Sequence, residues 1–194
     1  MIAYCQADPK LNILGDVIVI LSHTAMRIGE LVAARWKDVD DAKEFWTIPD
    51  ESHQGTKEQC KKAQKTKARR SRVVPIPPDV RDVLQRLEQA ASSDGRIMHG
   101  PRGGILQADS LHVILKRDVL EPLNKRFPAK VDAKGLIDGG LHSFRHFFCS
   151  WAAHDGVPER VLMAWAGHGS TRMVRRYYHL DKEASKKFIS AMSL

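Results

Sequence analysis

The stretch LHSFRHFFCSWAAHDG, residues 141–156, decides how this chain folds, because its side chains repeat with the period of a helix. One stripe is apolar and consists of Phe144, Phe147, Phe148 and Trp151. The opposite stripe recurs at i, i+3, i+4 and i+7 and consists of His142, Arg145, His146 and Cys149. We therefore predict an amphipathic helix on which His142 and Arg145 project the same way.

Two further helices are predicted after this one. Gly156 is placed to end the first helix, and Pro158 is placed to open the next, PERVLMAWAGH, residues 158–168. Ser170 can cap a last helix, TRMVRRYYH, residues 171–179, which carries two adjacent tyrosines.

The residues between positions 142 and 177 include the groups that an attack on a phosphodiester requires. They are one guanidinium, two imidazoles and one phenol, from Arg145, His142, His168 and Tyr177. A phenol has an unperturbed pKa of about 10, so at neutral pH it needs a base for its proton and cations for the charge that develops. Taken singly, each histidine could instead be a helix cap or a turn residue, and it is their combination that indicates chemistry.

Composition favours a single basic domain with an anionic partner. The chain has 194 residues, 43% of them hydrophobic, with a formal net charge of +8 and a pI of about 9.5. These values predict one core and a nucleic acid partner ahead of a membrane surface. The apolar run at residues 17–21 is too short to cross a bilayer, and no signal peptide is apparent, so we expect a cytoplasmic protein.

Cysteine and histidine spacing gives no metal site. Cys5, Cys60 and Cys149 are odd in number and scattered, which suits a reducing compartment. His53 and Cys60 lack two further ligands, so we expect no metal.

The remaining sequence predicts an α+β fold that is mainly α-helical, with a small three-stranded antiparallel sheet. Helices are predicted from Asp8-Pro9 onward, over RIGELVAARW, after Pro77-Pro78 and over LHVILKRDVLEPL. EFWTIP and RSRVVPIP have the composition of strands, and the long cationic segment between them forms the connection.

Four segments in this order resemble the catalytic domain of tyrosine recombinases, the phage-integrase family. They are HTAMRIGEL, KTKARRSRVVPIP, LHSFRH and AGHGSTRMVRRYYHL, and the resemblance covers residues 10–185. It implies site-specific cleavage and rejoining of double-stranded DNA through a 3′-phosphotyrosine intermediate, without metal or cofactor.

The resemblance also implies roles for single residues. Arg27 and Arg145 would clamp the scissile phosphate with His142 and His168 as partners, Tyr177 would be the nucleophile, and Glu30 would buttress Arg27. Tyr177 is chosen over Tyr178 because the family places its nucleophile two residues before a histidine, here His179. Lys67 would protonate the departing 5′ oxygen, with Lys65 as the alternative, and contacts to backbone phosphate are expected from Lys65, Arg69, Arg70, Arg72 and Arg172. Without the pattern, Arg27 and Glu30 would be an ordinary i, i+3 ion pair.

Departures from the family pattern set expectations for the ends of the chain and for one turn. Ala25 stands where glycine is common, and Ala166 where leucine is common. Few residues precede Arg27, so we expect residues 1–194 to be a single catalytic domain without an amino-terminal core-binding domain. Residues 181–194 have an apolar stripe and are expected to form a tail helix. A tail helix of this kind commonly docks on its own domain, whereas the family resemblance implies a neighbouring protomer in a homotetramer on DNA, with a monomer possible for the isolated chain.

Two other functions stay open from the sequence. One is a catalytically silent DNA-binding module, which the net charge alone would suggest. The other is a type IB topoisomerase, which shares the chemistry but relaxes supercoils. The short spacing from Gly167-His168 to Tyr177 favours a recombinase.

Overall fold

The chain begins with short helices that lead into a long buried one, in a computed structural model that describes residues 1–49, 71–130, 135–167 and 171–178, with positions 172–173 described by their backbone alone. Helix α1 spans Ile2–Gln6, and a 3-10 turn at Pro9–Leu11 precedes helix α2, Asn12–Thr24. The Asp8 carboxylate accepts the Lys10 backbone N–H at 2.9 Å and caps this turn, as the Asp8-Pro9 signal predicts. Nearly all residues of α2 are buried, so this helix is the centre of the fold.

Helix α3, Ile28–Ala33, leads to the sheet. Strand β1, Phe45–Ile48, pairs antiparallel with strand β2, Arg72–Pro75, and Trp46 lies opposite Val74. The prediction of three strands is wrong for the described part of the chain, where the sheet has two. Residues 50–70, which include the long cationic connection, lie outside the described residues.

The middle of the chain is helical. Helix α4, Pro78–Gln89, begins at the predicted proline pair, and its Arg86 guanidinium donates to the buried Asp16 carboxylate of α2 at 2.5 and 3.1 Å. Helix α5, Ala108–Ile114, continues through a π-helical segment, Leu115–Leu120, into helix α6, Glu121–Arg126.

Three helices in the carboxyl half carry the residues of interest. Helix α7 spans Leu141–His154, α8 spans Glu159–Ala166, and α9 spans Thr171–Arg175. Because α9 ends at Arg175, Tyr177 follows the helix in a turn instead of lying on it as predicted, and its backbone N–H donates to Val174 at 2.9 Å.

The two stripes of α7 are buried differently from what an amphipathic pattern normally gives. Phe147 is 57% exposed and Trp151 is 49% exposed, although both belong to the apolar stripe. Arg145 is 2% exposed and Cys149 is fully buried, although both belong to the opposite stripe. The helix therefore buries its guanidinium, which must find hydrogen-bond acceptors inside the protein.

The buried apolar side chains form two clusters. The larger surrounds α2 and includes Trp46 and Leu84. The smaller joins α7, α8 and α9 through Phe148, Leu162 and Val174. No helix in the described ranges is long and apolar enough to cross a membrane.

Candidate active site

A carboxylate held between two guanidiniums forms the centre of the site. Glu30, in the first turn of α3, accepts the Arg27 backbone N–H at 2.7 Å and Arg27 Nη1 at 2.7 Å. It also accepts Arg72 Nη1 at 2.9 Å and Arg72 Nη2 at 2.7 Å. Burial raises the pKa of Glu30, but hydrogen bonds and charge from Arg72 and Arg27 outweigh it and lower the pKa to about 2. Glu30 is therefore ionised at neutral pH.

Arg72 has an internal role in this structure. Its Nε donates to the Trp165 carbonyl at 2.8 Å, while its two terminal nitrogens bind Glu30. The sequence predicts a contact from Arg72 to DNA phosphate, but all three guanidinium nitrogens donate within the protein and the side chain is 9% exposed. Arg27 is more accessible than Arg72, because its side chain is 29% exposed.

Arg145 is fixed between the ends of two helices. Its Nη1 donates to the carbonyl of Ala25, after α2, and its Nη2 donates to the carbonyl of Ala166, at the end of α8. Burial, together with repulsion by the charges of Arg27 and Arg72, lowers the pKa of Arg145 to about 10, against attraction by Glu30. The group stays cationic at pH 7, and a guanidinium has five N–H donors, so these two carbonyls leave donors for a ligand.

The carbonyl of Ala25 depends on an unusual backbone conformation. Ala25 has φ 55°, in the left-handed region that glycine adopts more readily. This is the position at which the sequence has alanine in place of the glycine common in the family. The alanine keeps the turn and the carbonyl that binds Arg145.

Two imidazoles lie next to a phenol beside this cluster. His142 is exposed and meets the ring of His146 edge-on, with centroids 4.7 Å apart. His146 Nδ1 is hydrogen bonded to the hydroxyl of Tyr177. Burial lowers the pKa of both histidines, aided by nearby charges, of which Arg145 acts on both. Both rings are therefore neutral at pH 7.

The two adjacent tyrosines are held differently. The Tyr178 hydroxyl donates to the Val157 carbonyl at 2.5 Å, so it is engaged by the backbone after α7. The Tyr177 hydroxyl is at His146, and burial raises its pKa, assisted by Cys149 and opposed by Arg176 and Arg145. Tyr177 is therefore a neutral phenol in contact with a neutral imidazole at pH 7.

Several predicted site residues lie outside the described residues. They are Lys65, Lys67, Arg69, Arg70 and His168, together with the tail at 181–194 and the side chain of Arg172. The structure brings together Arg27, Glu30, Arg145, His142 and Tyr177, with Arg72 added to the same cluster. His146 has no role predicted from the sequence, although its spacing of four residues from His142 on one helix face was the available signal.

The arrangement suits binding of an anion next to a phenol. The guanidiniums of Arg27 and Arg72 bind the carboxylate of Glu30, and their charges act on the nearby guanidinium of Arg145. Guanidiniums can bind two oxygens of a phosphate at once and keep their protons while doing so. A phosphodiester at this cluster would lie on the same side of α7 as the phenol of Tyr177.

Comparisons with known proteins identify the family of this chain. A sequence model of the phage integrase family matches residues 1–184. The chain belongs to the phage integrase family. Its curated relatives include the integrase of Mycobacterium phage L5, 27% identical over 178 residues that cover 90% of this chain and 45% of that protein. The integrase of Salmonella phage P22 is 40% identical over 57 residues, which cover 29% of this chain and 15% of that protein.

Solved structures of integrases and recombinases share the fold of this integrase-family chain. The Tn1549 transposon integrase, in complex with a circular intermediate DNA, superimposes with a TM-score of 0.72 at 21% identity and covers 99% of this chain and 62% of that one. XerH recombinase bound to its difH substrate gives 0.62 at 17% identity, over 97% and 50% of the two chains. The catalytic domain of bacteriophage HP1 integrase gives 0.57 at 20% identity, over 97% and 87%. The matched part of this chain spans less than half of each curated relative.

Proposed function

We propose that this chain is the catalytic domain of a site-specific tyrosine recombinase, which cleaves and rejoins DNA strands through a 3′-phosphotyrosine intermediate. The observation that carries this proposal is that the Tyr177 hydroxyl is held by a side chain of α7, the helix whose buried Arg145 guanidinium is fixed by two carbonyls. Family membership and the DNA-bound state of solved relatives support it.

Arg27 and Arg145 would bind the non-bridging oxygens of the scissile phosphate. The side chain of Arg27 is partly exposed and is held by its hydrogen bond to Glu30. Arg145 donates to two carbonyls and has further N–H donors for a ligand. Both cations are therefore oriented before a substrate arrives, and such preorganised donors typically contribute several kcal/mol each to transition-state stabilisation. Arg72 would act indirectly, by fixing Glu30 to the end of α8.

The remaining chemical roles come from residues outside the described ranges. Lys67 would protonate the departing 5′ oxygen, with Lys65 as the alternative, because an ammonium gives up a proton more readily than a guanidinium. His168 would assist at the phosphate together with His142. Trapping the strand as a tyrosyl ester keeps its transfer potential, so a 5′ hydroxyl can reverse the step without an added energy source.

Double-stranded DNA would be the partner, and binding would weaken steeply with salt, because the net charge of +8 acts largely through phosphate contacts. On DNA we propose a homotetramer in which residues 181–194 dock on a neighbouring protomer. Truncation after Leu180 would abolish assembly on DNA, and assembly that survives truncation would count against this part. The protein would act in the cytoplasm of a bacterium that carries the phage or mobile element.

Covalent trapping tests the proposal. The chain is mixed with supercoiled plasmid in EDTA, the reaction is stopped with SDS, and the linked residue and DNA positions are mapped. We expect an adduct on Tyr177 that is absent from Tyr177→Phe. Tyr178→Phe is the matched control and should still form it, because that hydroxyl binds Val157 instead.

Other outcomes would point to other functions. Binding without an adduct, with intact wild-type protein, would leave a silent DNA-binding module. An adduct accompanied by plasmid relaxation, without strand exchange between two mapped sites, would favour a type IB topoisomerase activity.

A further inference from the structure

His146 makes the closest contact to the reacting atom that the described residues show. Its Nδ1 is hydrogen bonded to the Tyr177 hydroxyl, and the two ring centroids are 6.0 Å apart. His146 follows Arg145 directly on α7, so the rigid helix that fixes the phosphate-binding cation also fixes this imidazole. The phenol would therefore be positioned relative to the phosphate through a single element.

We propose that His146 is a catalytic residue, the general base that takes the proton of Tyr177 during cleavage and returns it during rejoining. The assignment rests on the proposed function, because it needs Tyr177 to be the nucleophile. It gives this role to a histidine other than His142 and His168, the two that the sequence pattern points to.

The contacts of His142 differ from those of His146. His142 is exposed and its ring meets the His146 ring at 90°, while within the described part of the chain the Tyr177 hydroxyl is hydrogen bonded to His146. His142 lies one turn closer to the amino end of α7. Burial lowers its pKa, and the charges of Arg145 and Arg27 contribute to the same shift. That position suits a contact to phosphate, whereas the position of His146 suits a contact to the phenol.

The charges around His146 keep it in the form that a base requires. Burial lowers the pKa of His146, and the charges of Arg176 and Arg145 lower it further, so the ring is neutral at pH 7. The Arg176 guanidinium lies 5.7 Å from the centre of the Tyr177 ring. With the ring proton on Nε2, Nδ1 has a free lone pair and accepts the phenolic O–H.

The proposed step is balanced. The Tyr177 Oη–P bond forms and the P–O5′ bond breaks, while the phenolic proton passes to His146 Nδ1, which becomes an imidazolium. The 5′ oxygen leaves with a proton from the general acid. In rejoining, a 5′ hydroxyl gives its proton to the now deprotonated general acid and attacks phosphorus, the Oη–P bond breaks, and the imidazolium returns its proton to Tyr177.

The test distinguishes a role of His146 in proton transfer with Tyr177 from a role in phosphate binding. Cleavage is measured in single turnover on a duplex that contains a plasmid position mapped by trapping. Joining is measured on the same sequence bearing a 3′-phosphate esterified with p-nitrophenol, which replaces phosphotyrosine. Nitrophenolate leaves at neutral pH without a proton, so joining needs neither Tyr177 nor its base.

We expect His146→Ala and His146→Asn to slow cleavage by about 100-fold or more, the usual contribution of general base catalysis. Both variants should join the nitrophenyl substrate at the wild-type rate. His146→Asn is included because its amide can still accept the Tyr177 hydroxyl but cannot take up a proton. His154→Ala, an exposed histidine on the same helix, is the matched control and should leave both rates unchanged.

Three results would overturn the inference. Wild-type cleavage by both His146 variants would exclude a base at this position. Equal losses in cleavage and joining would assign His146 to phosphate binding or to folding. Failure of the wild-type chain to form a Tyr177 adduct would overturn the proposed function, and this inference with it.

Discussion

Replacement of Glu30 by glutamine removes the charge at the centre of the arginine cluster while keeping the size of the side chain. In the folded chain the carboxylate has a pKa of about 2, against an ordinary value of 4.5. Each pKa unit corresponds to about 1.36 kcal/mol, so ionisation of Glu30 stabilises the fold by about 3 kcal/mol. Loss of one partner from a buried ion pair typically costs a similar amount, about 3–5 kcal/mol.

The pH dependence has a definite direction. Because the folded pKa lies below the unfolded one, this stabilisation is fully present above pH 4.5 and is lost as the pH falls from 4.5 towards 2. The deficit of Glu30→Gln relative to wild type should therefore be largest at neutral pH and shrink in acid. Arg27 and Arg72 would repel each other in the variant at all these pH values.

Urea unfolding at a series of pH values measures this difference. We expect Glu30→Gln to have a free energy of unfolding about 3 kcal/mol below wild type at pH 7, with the gap narrowing below pH 4.5. Glu44→Gln, at an exposed position, is the matched control and should change stability by less than about 0.5 kcal/mol. A deficit of less than about 1 kcal/mol at pH 7, or one that does not vary with pH, would refute the reasoning.

Two further substitutions test the packing, each with a matched partner and each checked by thermal or urea unfolding. Phe148→Ala should lower the free energy of unfolding by about 3–5 kcal/mol, because Phe148 is only 6% exposed. Phe147→Ala, at 57% exposure, should change it by less than about 0.5 kcal/mol. Equal effects would contradict the assigned faces of α7. Gly167→Ala should lower the free energy of unfolding by about 1–2 kcal/mol, because φ is +61° and a Cβ would lie 3.0 Å from Arg72 Cδ. Gly29→Ala has open space on a helix and should raise the free energy of unfolding by about 0.5–1 kcal/mol. An alanine tolerated equally at both positions would contradict this reasoning.

The sequence predicts the helices of this chain well where local signals define their ends. Proline or glycine lies at both ends of α7 and α8 and at the start of α4, and apolar periodicity fills all three helices, so local physics is enough. The pairing of β1 with β2 also follows from composition, because Trp46 and Val74 are residues that strands favour.

Burial of α7 could not be predicted from periodicity. A hydrophobic pattern treats Arg145 as polar and therefore exposed, but the carbonyls of Ala25 and Ala166 satisfy its guanidinium in the interior. Those carbonyls belong to the ends of two other helices, far from position 145 in sequence. The helix cannot bury both stripes equally. Because the stripe with Arg145 is buried, Phe147 and Trp151 on the apolar stripe are left exposed to solvent.

The candidate site was predictable as a set of residues but not as a set of contacts. The spacing of His142, Arg145 and Tyr177 carries the family resemblance, whereas the pairing of Arg72 with Glu30 joins residues 42 positions apart and has no local signal. The hydrogen bond between Tyr177 and His146 likewise depends on how the turn after α9 lies against α7. Such contacts arise only when the fold is assembled.

The crowding of three guanidiniums around one carboxylate has a consequence for how this domain balances stability against function. Burial, together with the charges of Arg27 and Arg72, lowers the pKa of Arg145 to about 10, so the fold sustains positive charge that its own residues compensate only in part. Sites of this kind lower the stability of a fold because activity requires them, and replacements that neutralise their charges tend to give proteins that are more stable but inactive. An anion that binds the cluster relieves the repulsion and stabilises the folded chain, by an amount that grows as its concentration rises above its dissociation constant. Substrate would then act on this domain as a folding ligand as well as a reactant.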